Sequence, residues 1–198
     1  MTSKRPISNE RSTTYATPAD FCRVFKDDMQ SLYSLSLMLA ADPEKAEQLF
    51  VSGLEDSAAN SPVFKEWARS WARRTIVKNA VRLIAPGTTN MNGVSKAVRS
   101  DATIQALPGL PAEMYAVLGL SAFERFAFIL SVLEGYSDQD SALLLGCTRQ
   151  ALIEARVRAE QGIVRAVAMR ESRPSDVNLK NQESVRDLAV PAHLAIPA

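Results

Sequence analysis

The chain has 198 residues, of which 46% are apolar and 23% charged, a composition typical of globular proteins and not of disordered chains. Its 23 basic and 22 acidic side chains give a net charge of +1, which excludes a uniformly basic nucleic-acid-binding chain but permits a local basic face. The only histidine is His193, and the only cysteines are Cys22 and Cys147. A catalytic triad, a zinc site and a disulfide framework are therefore not expected, and we predict no metal, no cofactor and no enzymatic activity.

The N-terminal segment also argues against secretion. It is polar up to Thr17, and no stretch of the chain reaches 18 consecutive apolar residues. We therefore expect neither a signal peptide nor a membrane span, and a cytoplasmic location.

The first half of the chain has the pattern of several amphipathic helices. Residues 1–19 lack periodicity and are predicted to be a flexible N-terminal arm, whereas apolar residues recur every three or four positions from Asp20 onward. The run Asp42-Pro43-Glu44 is typical of a helix start. A polar loop is predicted over residues 55–62, followed by a helix over residues 64–84.

The second half repeats this helical character after a break. Residues 85–111 are rich in Pro, Gly and small polar residues and are interpreted as a linker, with a short helix predicted over residues 94–99. Ser121, Ser137 and Thr148 have the positions of helix N-caps, Asp140 that of a capping-box acid, and Gly135 and Gly146 those of helix ends. The last helix is predicted to end near residue 169, before a flexible tail over residues 170–198.

No segment alternates strictly between apolar and polar residues. The pattern therefore predicts an all-α protein with two small helical domains, over residues 20–84 and 112–169, joined by a flexible linker.

Charge is segregated within the first of these domains. Residues 20–63 contain three basic and eight acidic side chains, whereas residues 64–84 contain six basic side chains and one acidic side chain. On a helix, the basic residues and two tryptophans share a stripe suited to phosphate contact and base stacking. The alternative is a solvated basic face with two core tryptophans. The residues concerned are Trp67, Arg69, Trp71, Arg73, Arg74, Lys78 and Arg82.

The second domain contains two predicted helices joined by a three-residue turn that begins at Gly146, which is the pattern of a helix-turn-helix. In such a unit the second helix enters the major groove, its first residues reach base edges, and later arginines contact phosphates. The alternative is a helical hairpin that binds a partner helix. The candidate DNA-contacting residues are Thr148, Arg149, Gln150, Ile153, Glu154, Arg156 and Arg158.

Together, the two segments resemble the small bacterial sigma factors of the extracytoplasmic-function type. Residues 32–37 (Leu-Tyr-Ser-Leu-Ser-Leu) and 42–49 (Asp-Pro-Glu-Lys-Ala-Glu-Gln-Leu) are similar to region 2 of that family. Residues 133–138 (Leu-Glu-Gly-Tyr-Ser-Asp) and 144–149 (Leu-Leu-Gly-Cys-Thr-Arg) are similar to region 4 and are the most specific pieces. The similarity covers about two-thirds of the chain.

This resemblance implies a transcription initiation factor that binds core RNA polymerase and promoter DNA. By motif, Glu47, Gln48, Leu49 and Ser52 match the polymerase-binding segment of region 2. The basic-aromatic helix over residues 64–84 matches the segment that contacts the −10 element. The helix after Thr148 matches the one that reads the −35 element. An anti-sigma factor is a further partner implied by the family.

Two departures from the family pattern leave alternatives open. The polymerase-binding segment reads Gln48-Leu49-Phe50-Val51-Ser52, without the acidic residues usual there, and the recognition helix carries Ile153-Glu154-Ala155 where the family often has basic residues. One alternative is a sigma mimic with impaired DNA binding that binds an anti-sigma factor. The other is a free-standing helix-turn-helix regulator.

Overall fold

The computed structural model describes residues 14–59, 63–86 and 110–171. The described residues contain no β-strand, only one isolated bridge between Tyr15 and Phe64, so the predicted all-α class is confirmed. Most of the predicted linker, the helix expected over residues 94–99, and most of the predicted N-terminal arm and C-terminal tail lie outside these residues.

Eight α-helices make up the described parts. We call residues 14–86 the first half and residues 110–171 the second half. The first half contains α1 (Pro18–Asp27), α2 (Met29–Ala40), α3 (Pro43–Ala59), a 3-10 turn (Lys65–Trp67) and α4 (Ala68–Ile84). The second half contains α5 (Ala112–Leu118), α6 (Ala122–Phe128) with a π-helical turn (Ile129–Leu133), α7 (Asp138–Leu145) and α8 (Arg149–Glu171).

Helix starts and ends in the second half follow local sequence signals. The hydroxyl oxygens of Ser121 and Ser137 each accept a hydrogen bond from the backbone N–H three residues later, at 3.4 and 3.0 Å, and Thr148 does the same at 3.1 Å. Gly135 and Gly146 have φ values of 67° and 64°, the left-handed conformation in which glycine carries no steric penalty. The three predicted N-caps and the two predicted glycine breaks are confirmed. The carboxylate of Asp140 accepts from the Ser137 hydroxyl and not from its backbone N–H, so the predicted capping box is wrong at Asp140.

The predicted arm is wrong for residues 14–19, because long-range pairing orders them. The N–H of Ala16 donates to the carbonyl of Val63 at 2.6 Å, and the N–H of Lys65 donates to the carbonyl of Thr14 at 3.0 Å. Thr17 and Asp20 then form a capping box at the start of α1. This N-terminal segment therefore packs beside the segment that leads into α4.

The predicted loop over residues 55–62 is wrong for its first five residues, because α3 continues to Ala59. Its inward face extends that far, since Gly53 and Ser57 are both buried. A Cβ atom added at Gly53 would lie 2.6 Å from Cγ1 of Ile76, so α3 and α4 approach closely at this glycine. The predicted tail also begins too early, since α8 includes residues 170 and 171.

One hydrophobic core extends through both halves. Leu35, Leu39 and Ile76 from the first half belong to the same buried cluster as Phe126 and Leu152 from the second half. Contacts between α2 and both α5 and α6, and between α4 and α7, make up this junction. In this structure the two halves are in contact. Their predicted division into two independent domains therefore stays a prediction.

A buried cation lies at the junction of the halves. The guanidinium of Arg125 donates to the carbonyl of Leu120 at 2.9 Å and to that of Leu39, in the last turn of α2, at 3.3 Å. Carbonyls of a helix's last turn lack partners within the helix, so this arginine satisfies one that would otherwise be buried unpaired. Burial lowers the pKa of Arg125 to about 10.

Candidate nucleic-acid interface

Helix α4 places the predicted basic residues along one side of the first half, but most of them have acidic partners. Arg69 lies 2.5 Å from a carboxylate oxygen of Asp28, and Arg82 lies 3.9 Å from one of Asp56. Lys78 is exposed and forms no ion pair with any residue in the described ranges. The surface is cationic, yet part of its charge is compensated within the chain.

Arg73 is the most strongly held of these residues. Its Nε donates to Oε2 of Glu134 at 2.9 Å, its Nη2 donates to the other carboxylate oxygen, and its Nη1 donates to the hydroxyl of Ser31 at 2.9 Å. The Glu134 side chain is only 6% exposed, and its hydrogen bond raises the pKa of Arg73. A predicted DNA contact is therefore occupied by the second half of the same chain.

The two tryptophans of this helix differ in environment. Trp67 is 58% exposed and meets the ring of Phe64 edge-on at 5.2 Å, so the reading of two core tryptophans is wrong for Trp67. Trp71 is half-buried, and its indole nitrogen has no acceptor among the residues that the structure describes. Of the two rings, Trp67 is the one available for stacking on an external group.

A cleft of about 780 Å³ brings these aromatic and basic groups together with the second half. Trp67, Trp71, Arg73 and Arg74 line one wall, and residues 133–137 line the other. The guanidinium of Arg74 lies 5.7 Å from the centroid of the Tyr136 ring, a cation–π contact between the halves. Exposed Arg74 thus remains accessible from solvent within the cleft.

Helices α7 and α8 are joined by a three-residue turn, residues 146–148. The N–H of Cys147 donates to the carbonyl of Ala142 at 3.0 Å, which closes the turn, and Leu152 of α8 is fully buried. Ala155 and Ala159 occupy the other buried positions of α8, whereas Val157 is 43% exposed. Small residues on the inner face let α8 lie close to its neighbours.

The predicted recognition residues share the exposed start of α8, but their cations are paired within the second half. Arg156 and Arg149 both lie near Asp138, at 2.7 and 3.8 Å, and Arg158 lies 3.0 Å from Glu124. Gln150 donates to Glu154 at 2.8 Å. Thr148 caps the helix and Ile153 is half-buried. The face that would meet base edges therefore carries little uncompensated positive charge, because its arginines are paired with carboxylates.

The predicted polymerase-binding residues divide into exposed and buried positions on α3. Glu47 and Gln48 are exposed, whereas Leu49 is fully buried in the core. Leu49 is therefore wrong as a contact, because its side chain supports α3 from within. Ser52 accepts from Asn79 of α4 at 3.3 Å and donates to the Leu49 carbonyl, so it joins two helices.

Cys147 lies at the turn before α8, where a helix N-terminus would favour a thiolate. Burial dominates instead and raises the pKa of the Cys147 thiol. The raised pKa disfavours the thiolate form that a nucleophilic cysteine requires.

Metal-ligating and membrane-spanning features are absent from the described ranges. Within residues 14–59, 63–86 and 110–171, no three His, Cys, Asp or Glu side chains converge to hold a metal ion. None of the helices in those ranges combines the length and apolarity that crossing a membrane requires.

Sequence reasoning missed the acidic partners of the candidate cations. Glu134 lies 61 positions from Arg73, and Glu124 lies 34 positions from Arg158, so no local pattern connects either pair. Asp138 lies in the first turn of α7, where an acidic residue is common in any helix, so its position did not indicate a pairing with the arginines of α8.

No protein-family model matches this chain, and no curated protein sequence matches it.

Proposed function

We propose that the chain is a sigma-like transcription initiation factor, a dissociable subunit that binds core RNA polymerase and directs it to promoters. In this proposal α3 contacts the polymerase, α4 contacts the −10 element, and the start of α8 reads the −35 element. The chain would carry out no chemistry, and its work would be promoter selection and stabilisation of the melted strand. Its partners are core polymerase and promoter DNA.

One observation carries this proposal: a basic helix with an exposed tryptophan and a helix–turn–helix pair occur in one chain, in the order that the resemblance implies. Trp67 offers a ring for an unstacked base, and Arg74 and Lys78 offer exposed cations for phosphates. At the start of α8, Arg149 and Gln150 are exposed where a recognition helix contacts bases. Glu47 and Gln48 are exposed on α3, as a polymerase contact requires.

The free chain would need to rearrange before α4 binds DNA. Arg73 is bonded to Glu134, so the second half occupies this candidate DNA contact, and Tyr136 of the same half faces Arg74. Polymerase binding that separates the halves would release Arg73. The proposed mechanism is therefore a population shift in which the polymerase favours the separated form.

A second candidate function is supported by the charge of α8. Arg149 and Arg156 pair with Asp138, Arg158 pairs with Glu124, and Val157 is exposed between them. Because carboxylates of the same chain neutralise these arginines and an apolar side chain lies between them, this surface is better suited to binding a protein than to binding a phosphate backbone. We propose as the alternative a sigma mimic that binds an anti-sigma factor.

Binding to bacterial core RNA polymerase tests the first proposal against the second. We expect the purified chain to co-elute with core polymerase on size exclusion, and Glu47→Arg to weaken binding about tenfold, about 1.4 kcal/mol. The matched control is Glu113→Arg, the same charge change at an exposed position of α5. A folded chain that does not co-elute would contradict the initiation-factor proposal and favour the anti-sigma alternative.

A further inference from the structure

Helix α8 carries an apolar stripe on the face opposite its buried one. Val157 and Val164 are 43% and 69% exposed, and Ile153 is half-buried. Spacings of four and seven residues place all three on one side, over about 16 Å of helix. Isolated exposed valines need no explanation, but three in register along one face form a surface.

The stripe is apolar at Ile153, Val157 and Val164, and two exposed polar residues, Glu160 and Gln161, lie between the two valines. Glu160, Gln161, Val164 and Arg165 line a shallow depression of about 420 Å³. Exposed valines flanked by polar and charged side chains form a surface on which the apolar side chains of a peptide segment can pack.

The chain itself supplies such a segment beyond α8. Helix α8 ends at Glu171, and 27 residues follow it. Residues 172–187 contain six charged side chains, whereas residues 188–198 (Leu-Ala-Val-Pro-Ala-His-Leu-Ala-Ile-Pro-Ala) contain no Asp, Glu, Lys or Arg side chain. Pro191 and Pro197 disfavour a helix there and favour an extended segment.

The connection is long enough for this segment to reach every part of the stripe. Sixteen residues, 172–187, span up to about 55 Å when extended, whereas the 23 residues of α8 span about 34 Å. A tether of this length keeps the segment at an effective concentration in the millimolar range. Partial burial of a few Leu, Ile and Val side chains then suffices to populate the bound form.

We propose that residues 188–198 dock on the α8 stripe of the same chain, across Val157 and Val164. The docked tail covers the exposed start of α8 at Ile153. Docking does not depend on the proposed function. Its consequence, that the tail competes with DNA for α8, rests on that function.

His193 provides the test, because it is the only histidine and lies inside the docking segment. In the full chain, we expect its imidazole proton resonances to be displaced from random-coil positions. The double variant Val157→Glu with Val164→Glu should return them to those positions. The matched control is Met169→Glu, an equally apolar-to-acidic change on another face of α8, where the native side chain is 72% exposed. That control should leave the resonances as in the native chain.

Three results would overturn docking within one chain. His193 resonances at random-coil positions in the native chain would show no contact. Resonances unchanged by the double variant would place the tail elsewhere. A displacement that appears only as protein concentration rises would identify a second copy as the occupant.

The competition with DNA has a separate readout. A chain ending at residue 187 should bind duplex DNA roughly three- to tenfold more tightly than the full chain, because the tail no longer occupies α8. Equal binding by the two chains would overturn the competition, while the imidazole spectra separately decide whether the tail docks, and co-elution with core polymerase separately tests the proposed function.

Discussion

Helices α4 and α8 are the two long helices that carry the candidate DNA contacts, and they hold their cations in different ways. Arg73 of α4 crosses to the other half and pairs with a nearly buried glutamate, Glu134. Arg156 of α8 pairs with Asp138, which lies in the neighbouring helix of the same half. The Arg73–Glu134 pair of α4 is therefore lost when the halves separate, whereas the ion pairs of α8 are kept.

The two helices also differ in how tightly they are packed. Helix α4 buries residues along its length, and α3 approaches it at Gly53 without room for a side chain. Helix α8 buries only one face, through Leu152, Ala155 and Ala159. Helix α4 is packed on several sides and its Arg73 is bonded to the other half, whereas the outward face of α8 is open to recognition or to a covering segment.

The two helices should differ most in how much stability the protein loses when one of their ion pairs is removed. Arg73→Ala should lower the free energy of unfolding by about 2 kcal/mol, because it leaves Glu134 buried without a partner. The loss is smaller than for a fully buried pair, because the Arg73 side chain is 32% exposed and solvent screens the interaction. Arg156→Ala should lower it by about 0.5–1 kcal/mol, since Asp138 keeps Arg149 nearby. Urea denaturation of both variants measures this, and equal losses would contradict the difference.

A matched pair of glycine substitutions compares the packing. Gly53→Ala should destabilise by about 1–2 kcal/mol, because overpacking against Ile76 exceeds the gain of about 1 kcal/mol in helix propensity. Gly162→Ala should be neutral or stabilising, because its nearest contact is the movable end of Leu120, at 3.2 Å. Thermal unfolding followed by circular dichroism distinguishes them. A stabilising Gly53→Ala would show that α3 and α4 are less closely packed than described.

Removing the carboxylate that pairs with the arginines of α8 should strengthen the binding of this helix to DNA. Asp138→Asn removes the partner of Arg149 and Arg156, so we expect tighter duplex binding and a steeper salt dependence, by about one to two units of slope. Asp140→Asn is the control, since it makes the same charge change in the first turn of α7, but the Asp140 carboxylate accepts a hydrogen bond from the Ser137 hydroxyl and forms no ion pair with an arginine of α8. Fluorescence anisotropy over a salt series measures both, and identical slopes would argue against α8 contacting phosphates.

The smallest effect concerns the turn before α8. Because the pKa of the Cys147 thiol is raised, a smaller fraction of it is thiolate at neutral pH, and its alkylation rate should keep rising beyond pH 9. Exposed Cys22 should be modified first at pH 7.5. Mass spectrometry after iodoacetamide treatment orders the two sites, and faster modification of Cys147 would indicate an activated thiol.

Sequence reasoning predicted the local features of the fold and missed the distant ones. The hydroxyl caps of Ser121, Ser137 and Thr148 act over three residues, so their signals lie within one short window. Pairing between Thr14 and Lys65 joins segments about fifty residues apart, and nothing near Thr14 indicates it. Periodicity located α8 but not its buried face, because alanines at 155 and 159 pack inward while Val157 does not.

The candidate site was predictable to a similar extent. Exposure of Arg149 and Gln150 follows from their position just after a helix cap, and exposure of Trp67 contradicts the usual burial of tryptophan. The carboxylates that pair with these arginines come from other helices, so the tertiary fold determines which arginines are neutralised. The bonding of Arg73 to Glu134 requires that the two halves meet, which no spacing in the sequence encodes.

Transcription from fragmented genomic DNA of the encoding organism, with core polymerase and the chain, tests the central claim most directly. The account predicts discrete RNA start sites that core polymerase alone does not produce, and their loss in Arg74→Glu with Lys78→Glu. These two residues are preferred to Arg73 because both are exposed and neither bonds to Glu134. Absence of new start sites with the native chain, or the same start sites with a folded double variant, would contradict the account.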